Sequence, residues 1–154
     1  DLGEVTPEIL LFFNDPEIRR VGVPAAGGIS DAATLAVFYQ HLLRNTDDMW
    51  NPSVLADGIA RVHCDLPDPL TGVPANRTLG LTLAGDDGAS ALRGMGHTVS
   101  SQAFGHNGAG GQIAWADPAT GISFAFCTSG IEENFIHEAH RTAAIASLAG
   151  VLLG

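Results

Sequence analysis

The sequence predicts a mixed α/β domain in which an antiparallel sheet of at least three strands is flanked by helices. Three observations carry this prediction. Apolar residues recur at helical spacing before residue 45, alternate two by two from residue 78, and return to helical spacing beyond residue 133. Ile113 and Trp115 alternate with Gln112, Ala114 and Ala116; Ile122, Phe124 and Phe126 alternate with Ser123, Ala125 and Cys127. Between these runs lies Asp117-Pro118-Ala119-Thr120-Gly121, with Asp and Pro placed to open a turn and Gly to close it, so the pair reads as a hairpin. Finally, 45% hydrophobic residues against 16% charged is enough apolar material for a core and excludes a wholly disordered chain.

The elements follow in order. Ile9 to Phe13 is strongly apolar, but Pro16, Arg19-Arg20 and Pro24-Ala25-Ala26-Gly27-Gly28 break any long element there. Ser30 reads as an N-cap with Asp31 in the first turn. Leu35, Phe38, Tyr39, Leu42 and Leu43 then give a helix near 31–44, closed by Arg44-Asn45. A short helix from about Pro52 to Ile59 precedes a connection broken by Pro67, Pro69 and Pro74. Strands are expected near 78–84, 111–117 and 122–128, with 86–96 as a polar loop. One face of the hairpin is large and apolar, the other small, and neither is charged. Such a sheet is covered on both sides, and the small face admits a helix closely. The helix near 133–152 is the candidate for that place. Ser129 and Glu132 have capping-box spacing, and Phe135, Ala139, Thr142, Ala146, Ala149 and Leu153 form its stripe. Beyond Thr142 it is apolar almost all round, so most of it should be buried.

Composition limits what the chain does. Its 154 residues suit one domain, 1–154, or the C-terminal portion of a larger one. Seven Arg, no Lys and 17 acidic residues give a net charge of −10. Such a surface repels phosphate backbones and anionic lipid, which argues against nucleic-acid and membrane partners. The missing Lys excludes Schiff-base chemistry, a Walker-type Lys and a Ser–Lys pair supplied by this chain. Cys64 and Cys127 read as buried, inert thiols. No apolar run is long enough to span a bilayer, and Asp1-Leu2-Gly3-Glu4 lacks the basic start of a signal peptide, so a soluble, cytoplasmic chain is expected. The first residue is not Met, which suggests the remainder of something longer. Neither metal nor cofactor is expected. His137-Glu138-Ala139-His140 is not His-Glu-x-x-His and reads as solvated helix residues rather than a zinc site. Asp47-Asp48 and Asp86-Asp87 read as solvated loop carboxylates. No Gly-x-Ser-x-Gly elbow frames Ser100, Ser101 or Ser129.

Phe104-Gly105-His106-Asn107-Gly108-Ala109-Gly110-Gly111 is the segment that asks for a special explanation. Its glycines let a ligand or another backbone approach closely, or simply lead into the hairpin with His106 satisfied in place. It is neither a Walker loop nor a dinucleotide fingerprint. Together with Trp115-Ala116-Asp117-Pro118 and the strand 122–127, it resembles the third motif of the class C β-lactamase-related serine hydrolases. That family spans esterases, β-lactamases, penicillin-binding proteins and D-amino-acid peptidases. Residues 24–45 and the last helix resemble further family segments; 1–23 and 46–76 carry little of the resemblance.

The resemblance implies acyl transfer to a Ser of Ser-x-x-Lys, with that Lys and a Tyr of Tyr-x-Asn handling protons and backbone amides holding the oxyanion. By position His106 replaces the motif Lys, Asn107 its Thr or Ser, and Ala109 matches the residue whose N–H forms half of the oxyanion hole. Asn107 and Gly108 would line the substrate, a small ester, amide or lactam. The departures matter equally. The chain has no Ser-x-x-Lys, and Tyr39, its one tyrosine, sits on the apolar face of a helix without Tyr-x-Asn. The chain therefore resembles the C-terminal portion of such an enzyme, expected to be inactive alone and to pair with its missing N-terminal portion or with itself. The alternative is a non-catalytic binding module that keeps the fold.

Overall fold

A computed structural model describes residues 6–24 and 26–152, so the expectations placed on Asp1–Glu4, Ala25 and Leu153 fall outside it. The described residues form two compact units, one ending at Ser30 and the other beginning at Asp31. The first holds two short helices that the sequence pattern did not reveal, α1 (Pro7–Phe12) and α2 (Pro16–Val21). Each has Pro in its first turn, and the Thr6 and Asp15 side chains cap them by accepting from Ile9 N and Glu17 N. Six residues give too short a window for periodicity to show.

The second unit contains α3 (Ala32–Arg44), α4 (Pro52–Ala60), β1 (Thr82–Leu83), β2 (Phe104–Gly108), β3 (Gln112–Asp117), β4 (Ile122–Phe126) and α5 (Phe135–Ala149). The four strands form one antiparallel sheet in the order β1-β2-β3-β4. The predicted mixed α/β fold with a hairpin at β3–β4 is present. Strand β2 was missed as a strand because Gly105 and Gly108 dilute its alternation. Strand β1 is only two residues long rather than seven, because Thr78 turns back on itself through Leu81: the Thr78 N–H donates to the Leu81 carbonyl at 2.9 Å.

Helix α3 starts one residue later than expected. Asp31, not Ser30, is its N-cap and accepts from the Thr34 N–H at 2.7 Å. Asn45 ends it in the left-handed conformation at φ 47°. The expected Ser129–Glu132 capping box is replaced by Asn134, which accepts from the Ile136 and His137 N–H groups, while Glu132 accepts from Asn134 N–H.

The sheet separates two cores. On one face Ala114, Ala116 and Ala125 meet Leu35, Tyr39, Leu42 and Leu43 of α3, with Phe104 and Leu83. On the other, Ile113, Trp115, Ile122, Phe124 and Phe126 pack with Met95, Ala103, Val99 and Ala149. The small face therefore receives α3 and not the C-terminal helix. The bulk of the α3 side chains fits above alanines, whereas α5 offers alanines to a face that is already bulky. Nor is α5 mostly buried: Leu148 is exposed, and Gly96 lies against Ala146 and Ser147 of the helix. His97 N–H donates to Ser147 Oγ at 2.9 Å, and Thr98 Oγ1 donates to the Ser147 carbonyl at 2.7 Å.

The Pro-rich connection is an ordered, strand-like arm. Cys64 pairs with Arg77 and Pro67 with Pro74 across a turn that Asp68 closes by accepting from Leu70 N–H and Thr71 N–H. Both cysteines are free and exposed rather than buried: Cys64 lies on this arm, and Cys127 follows the last residue of β4. Nor is Asp87 a simply solvated carboxylate. It takes two bonds from the buried Arg93, at 2.7 and 2.5 Å, and that guanidinium holds its carboxyl well below the usual range. Arg93 also donates to the Pro74 carbonyl at 3.0 and 2.7 Å and to Ala84 at 2.6 Å, tying the arm to the loop.

Candidate active site

His106, Asn107, Gly108 and Ala109 lie along β2 and the tip that joins it to β3. His106 is opposite Ala114, Asn107 opposite Ile113 and Gly108 opposite Gln112, leaving a three-residue connection, 109–111. The strand pleat sends His106 and Asn107 to opposite faces, so their adjacency in sequence does not bring their side chains together. His106 shares a face with Phe104. Asn107 lies against Gly94, where an added Cβ would sit 3.0 Å from the Asn107 Cβ.

Two glycines make the tip possible. Gly110 and Gly111 have φ of +81° and +101°, where an L side chain is strained. A Cβ on Gly110 would lie 2.6 Å from Ile131 Cγ2, and one on Gly111 would lie 2.0 Å from Arg141 Nη2. Arg141 Nη2 donates to the Gly110 carbonyl at 3.2 Å, and the guanidinium sits 6.0 Å from the Phe126 ring centre. Helix α5 thus braces the tip from below. Ala109 itself is exposed, and its N–H donates to no protein acceptor among the described residues.

His106 meets Arg77. The His106 Nε2 and Arg77 Nη1 are in hydrogen-bond contact, and His106 Nδ1 contacts the Asn107 carbonyl. Burial lowers the His106 pKa most; the Asn107 carbonyl opposes this by favouring the charged form, and the Arg77 charge adds to the lowering. The imidazole is accordingly neutral near pH 7.

The tyrosine behaves as its sequence context indicates. Tyr39 is 5% exposed, stacks on Phe104 at 6.2 Å between ring centres, and has its hydroxyl pKa pushed up to about 12 by burial. Ser100 is committed elsewhere, its Oγ donating to Asp117 Oδ1 at 2.6 Å and its N–H to Asp117 Oδ2 at 2.8 Å. Glu138 is not a solvated helix residue. It is 8% exposed, beside Gly111, and burial raises its pKa; Arg141 opposes the shift, and Glu132 adds to it. His137 and His140 are exposed.

Sequence reasoning passed over Arg77 and Arg141 and read Glu138 as a solvated helix residue. The signal was scarcity: with seven cationic side chains in the whole chain, an Arg just before the strand region invites a question about what it pairs with.

The described residues thus form a mixed α/β fold in which an antiparallel sheet lies between helices and ends in a glycine-framed tip near His106. Comparison with known proteins identifies the family. Residues 3–149 match the Beta-lactamase family, including stretches where no motif stands out by eye. The chain is 33% identical over 107 residues to an esterase/β-lactamase, LipL, of Mycobacterium tuberculosis, covering 67% of this chain and 22% of that protein. It also resembles the crystal structure of a β-lactamase (Mb2281c) from Mycobacterium bovis, with a TM-score of 0.60 and 24% identity, over 75% of this chain and 42% of that one. The chain belongs to the β-lactamase-related serine hydrolase family. It spans about a fifth of the length of the curated relative. No described helix is long and apolar enough to cross a membrane.

Proposed function

We propose that this chain is the C-terminal part of an acyl-transferring serine hydrolase and supplies one wall of its active site. The observation that supports this best is the free Ala109 N–H on an exposed, glycine-framed tip, held by Arg141 and Ile131. In the proposed reaction, a serine Oγ from outside these residues gives its proton to the Lys of the same Ser-x-x-Lys segment as it bonds to the substrate carbonyl carbon. That proton passes to the leaving alcohol or amine when its bond to the carbon breaks. The carbonyl oxygen gains charge and accepts from Ala109 N–H. Collapse expels the leaving alcohol or amine, and water then hydrolyses the acyl-enzyme. Asn107 and Gly108 line the substrate, and His106 acts as an accessory group rather than the sole base. Esters and amides are preferred over β-lactams, because a neutral His106 is a weaker anchor for a substrate carboxylate than a Lys would be, and the neighbouring Arg77 guanidinium is engaged by His106 and Thr82.

The chain alone is expected to leave short-chain p-nitrophenyl esters intact and to associate with itself or with the missing portion. Supplying an N-terminal segment that contains Ser-x-x-Lys should give turnover, and His106→Ala in that complete enzyme should slow it while acyl-enzyme remains detectable by mass. Turnover by the chain alone, or no acylation of the complete protein, contradicts the proposal. One observation favours the alternative, a non-catalytic module: the chain's single Tyr is buried and it has no Lys. An upstream sequence lacking Ser-x-x-Lys would decide for the module.

A further inference from the structure

Arg77 is unusually well anchored for a residue outside regular secondary structure. Its N–H donates to the Cys64 carbonyl at 2.8 Å, and its carbonyl accepts from His63 N–H at 2.7 Å and Cys64 N–H at 3.1 Å. The neighbouring arm is tied down by Arg93 on the Pro74 carbonyl and by Leu83 N–H on the Asn76 carbonyl at 3.0 Å. Arg77 Nη1 donates to Thr82 Oγ1 at 3.1 Å, and Thr82 is buried in β1 opposite Gly105, next to His106. The guanidinium is therefore delivered to His106 on β2 by two elements, the arm and β1.

Elementary hydrogen-bond chemistry then settles the protonation pattern. A guanidinium only donates, so the His106 nitrogen it meets must accept. That nitrogen is Nε2. The proton of the neutral ring must then sit on Nδ1, where the Asn107 carbonyl, which only accepts, is waiting. The two contacts demand the same tautomer. We propose that Arg77 is a positioning residue for His106: it fixes the Nδ1–H form, occupies Nε2, and itself carries the positive charge at this end of β2. The consequence for acyl transfer, which rests on the function proposed above, is that His106 cannot take the nucleophile's proton at Nε2 while Arg77 is in place. The ring orients the charge rather than relaying protons.

The groups around the ring are few. From β3 the residue opposite His106 is the uncharged Ala114, and among the described residues Arg77 is the one charged side chain shifting its titration. Asp68, on the far side of the arm's turn, feels the Arg77 charge but is capped by its own turn: among the groups lowering its pKa against burial are Thr71 and Leu70 first, and Arg77 last.

The test is ¹⁵N nuclear magnetic resonance of the histidine rings in the chain, without substrate, so its outcome is independent of whether hydrolysis is found. Above the titration midpoint, His106 should show a protonated Nδ1 and an unprotonated Nε2, with a midpoint below the ordinary histidine value of about 6.5. Arg77→Met should move the proton to Nε2 in most molecules and raise the midpoint. Arg77→Lys should keep the midpoint low while the tautomers mix. Thr82→Val, which removes only the hydroxyl that holds Nη1, should move the same signals in the same direction by less; it and Arg77→Lys decide if Arg77→Met fails to fold. A wild-type ring protonated mainly on Nε2, or a tautomer unmoved by folded Arg77 variants, overturns the proposal. Loss of stability without a change of tautomer would make Arg77 a structural residue only, which also overturns it.

Discussion

The two faces of the sheet solve the same packing problem in opposite ways. Toward α3 the strands present Ala114, Ala116 and Ala125, and the helix supplies the volume through Leu35, Tyr39, Leu42 and Leu43. On the opposite face the strands supply the volume through Ile113, Trp115, Phe124 and Phe126, and the cover is made of smaller pieces: Ala84, Met95, Val99 and Ala103, with Ala149 and the Arg141 guanidinium from α5. The polar content differs too. The α3 core cluster contains no charged side chain, whereas the other face carries the buried Asp117, with Ser100 on its carboxylate, and the helix beyond it contributes the buried Glu138. A close helix–sheet contact needs small residues on one partner only, and which partner has them cannot be known until the helix is placed. On the α5 side, loop and helix meet beneath the Gly110–Gly111 tip, whereas His106 lies on the α3 side with Phe104.

The largest expected effect comes from the bulky side of this comparison. Trp115 has no exposure and packs against Phe124 at 5.4 Å between ring centres. Trp115→Ala should cost about 3–5 kcal/mol, enough to unfold a marginal domain. Its indole N–H has no partner among the described residues, so Trp115→Phe should cost much less than the alanine change. Chemical denaturation followed by circular dichroism measures both. Equal losses for Phe and Ala would mean that the face is not governed by volume.

The small side should fail in the other direction. Ala114→Leu or Ala116→Leu inserts three carbons under Tyr39 and Leu42, and overpacking of this kind costs about 1–3 kcal/mol. Leu148→Ala, on the exposed side of α5, should change the same denaturation midpoint little. Tolerance of leucine at both alanines would show that α3 is not closely seated.

Periodicity made the β3–β4 hairpin and helices α3 and α5 legible, because each has a long enough run for its apolar spacing to stand out. It failed for β2, where function-like glycines replace alternating residues, and for α1 and α2, which are one and a half turns long. The assignment of α5 to the small face failed for a different reason: both helices have apolar stripes, and pairing a stripe with a face is a tertiary fact. The candidate site was half visible. His106 to Ala109 stood out through their spacing, but Arg77 is 29 residues away from His106 and Arg141 is 31 away from Gly110, and no local pattern announces such pairs. The burial expected of the cysteines fails because residue type predicts burial only on average: Cys64 lies on the exposed arm, paired with Arg77, and Cys127 follows the end of β4.

The smallest effect, and the one that separates the faces most cleanly, is electrostatic. Glu138 is buried beside the Gly111 backbone, and burial raises its pKa above the ordinary value of 4.5. A carboxyl whose folded pKa is raised binds its proton more readily in the folded chain than in the unfolded one. Its contribution to stability is therefore complete below pH 4.5 and is lost as pH rises through the folded pKa. Glu138→Gln imitates the neutral form at every pH, so it should leave stability in acid nearly unchanged and flatten the decline on the alkaline side of that window. The reverse slope belongs to Asp87, whose lowered pKa adds stability above the ordinary Asp value of 3.8 and loses it on acidification through the folded pKa. Unfolding midpoints of the wild type, Glu138→Gln and Asp87→Asn across pH 3 to 8 ~ the range spanning ordinary carboxyl and histidine titration ~ would show two slopes of opposite sign, one removed by each variant. If Glu138→Gln instead lowered stability above the ordinary carboxyl range and left it unchanged in acid, Glu138 would be held as a charged partner of Arg141, and the brace under the Ala109 tip would be an ion pair rather than a neutral packing contact.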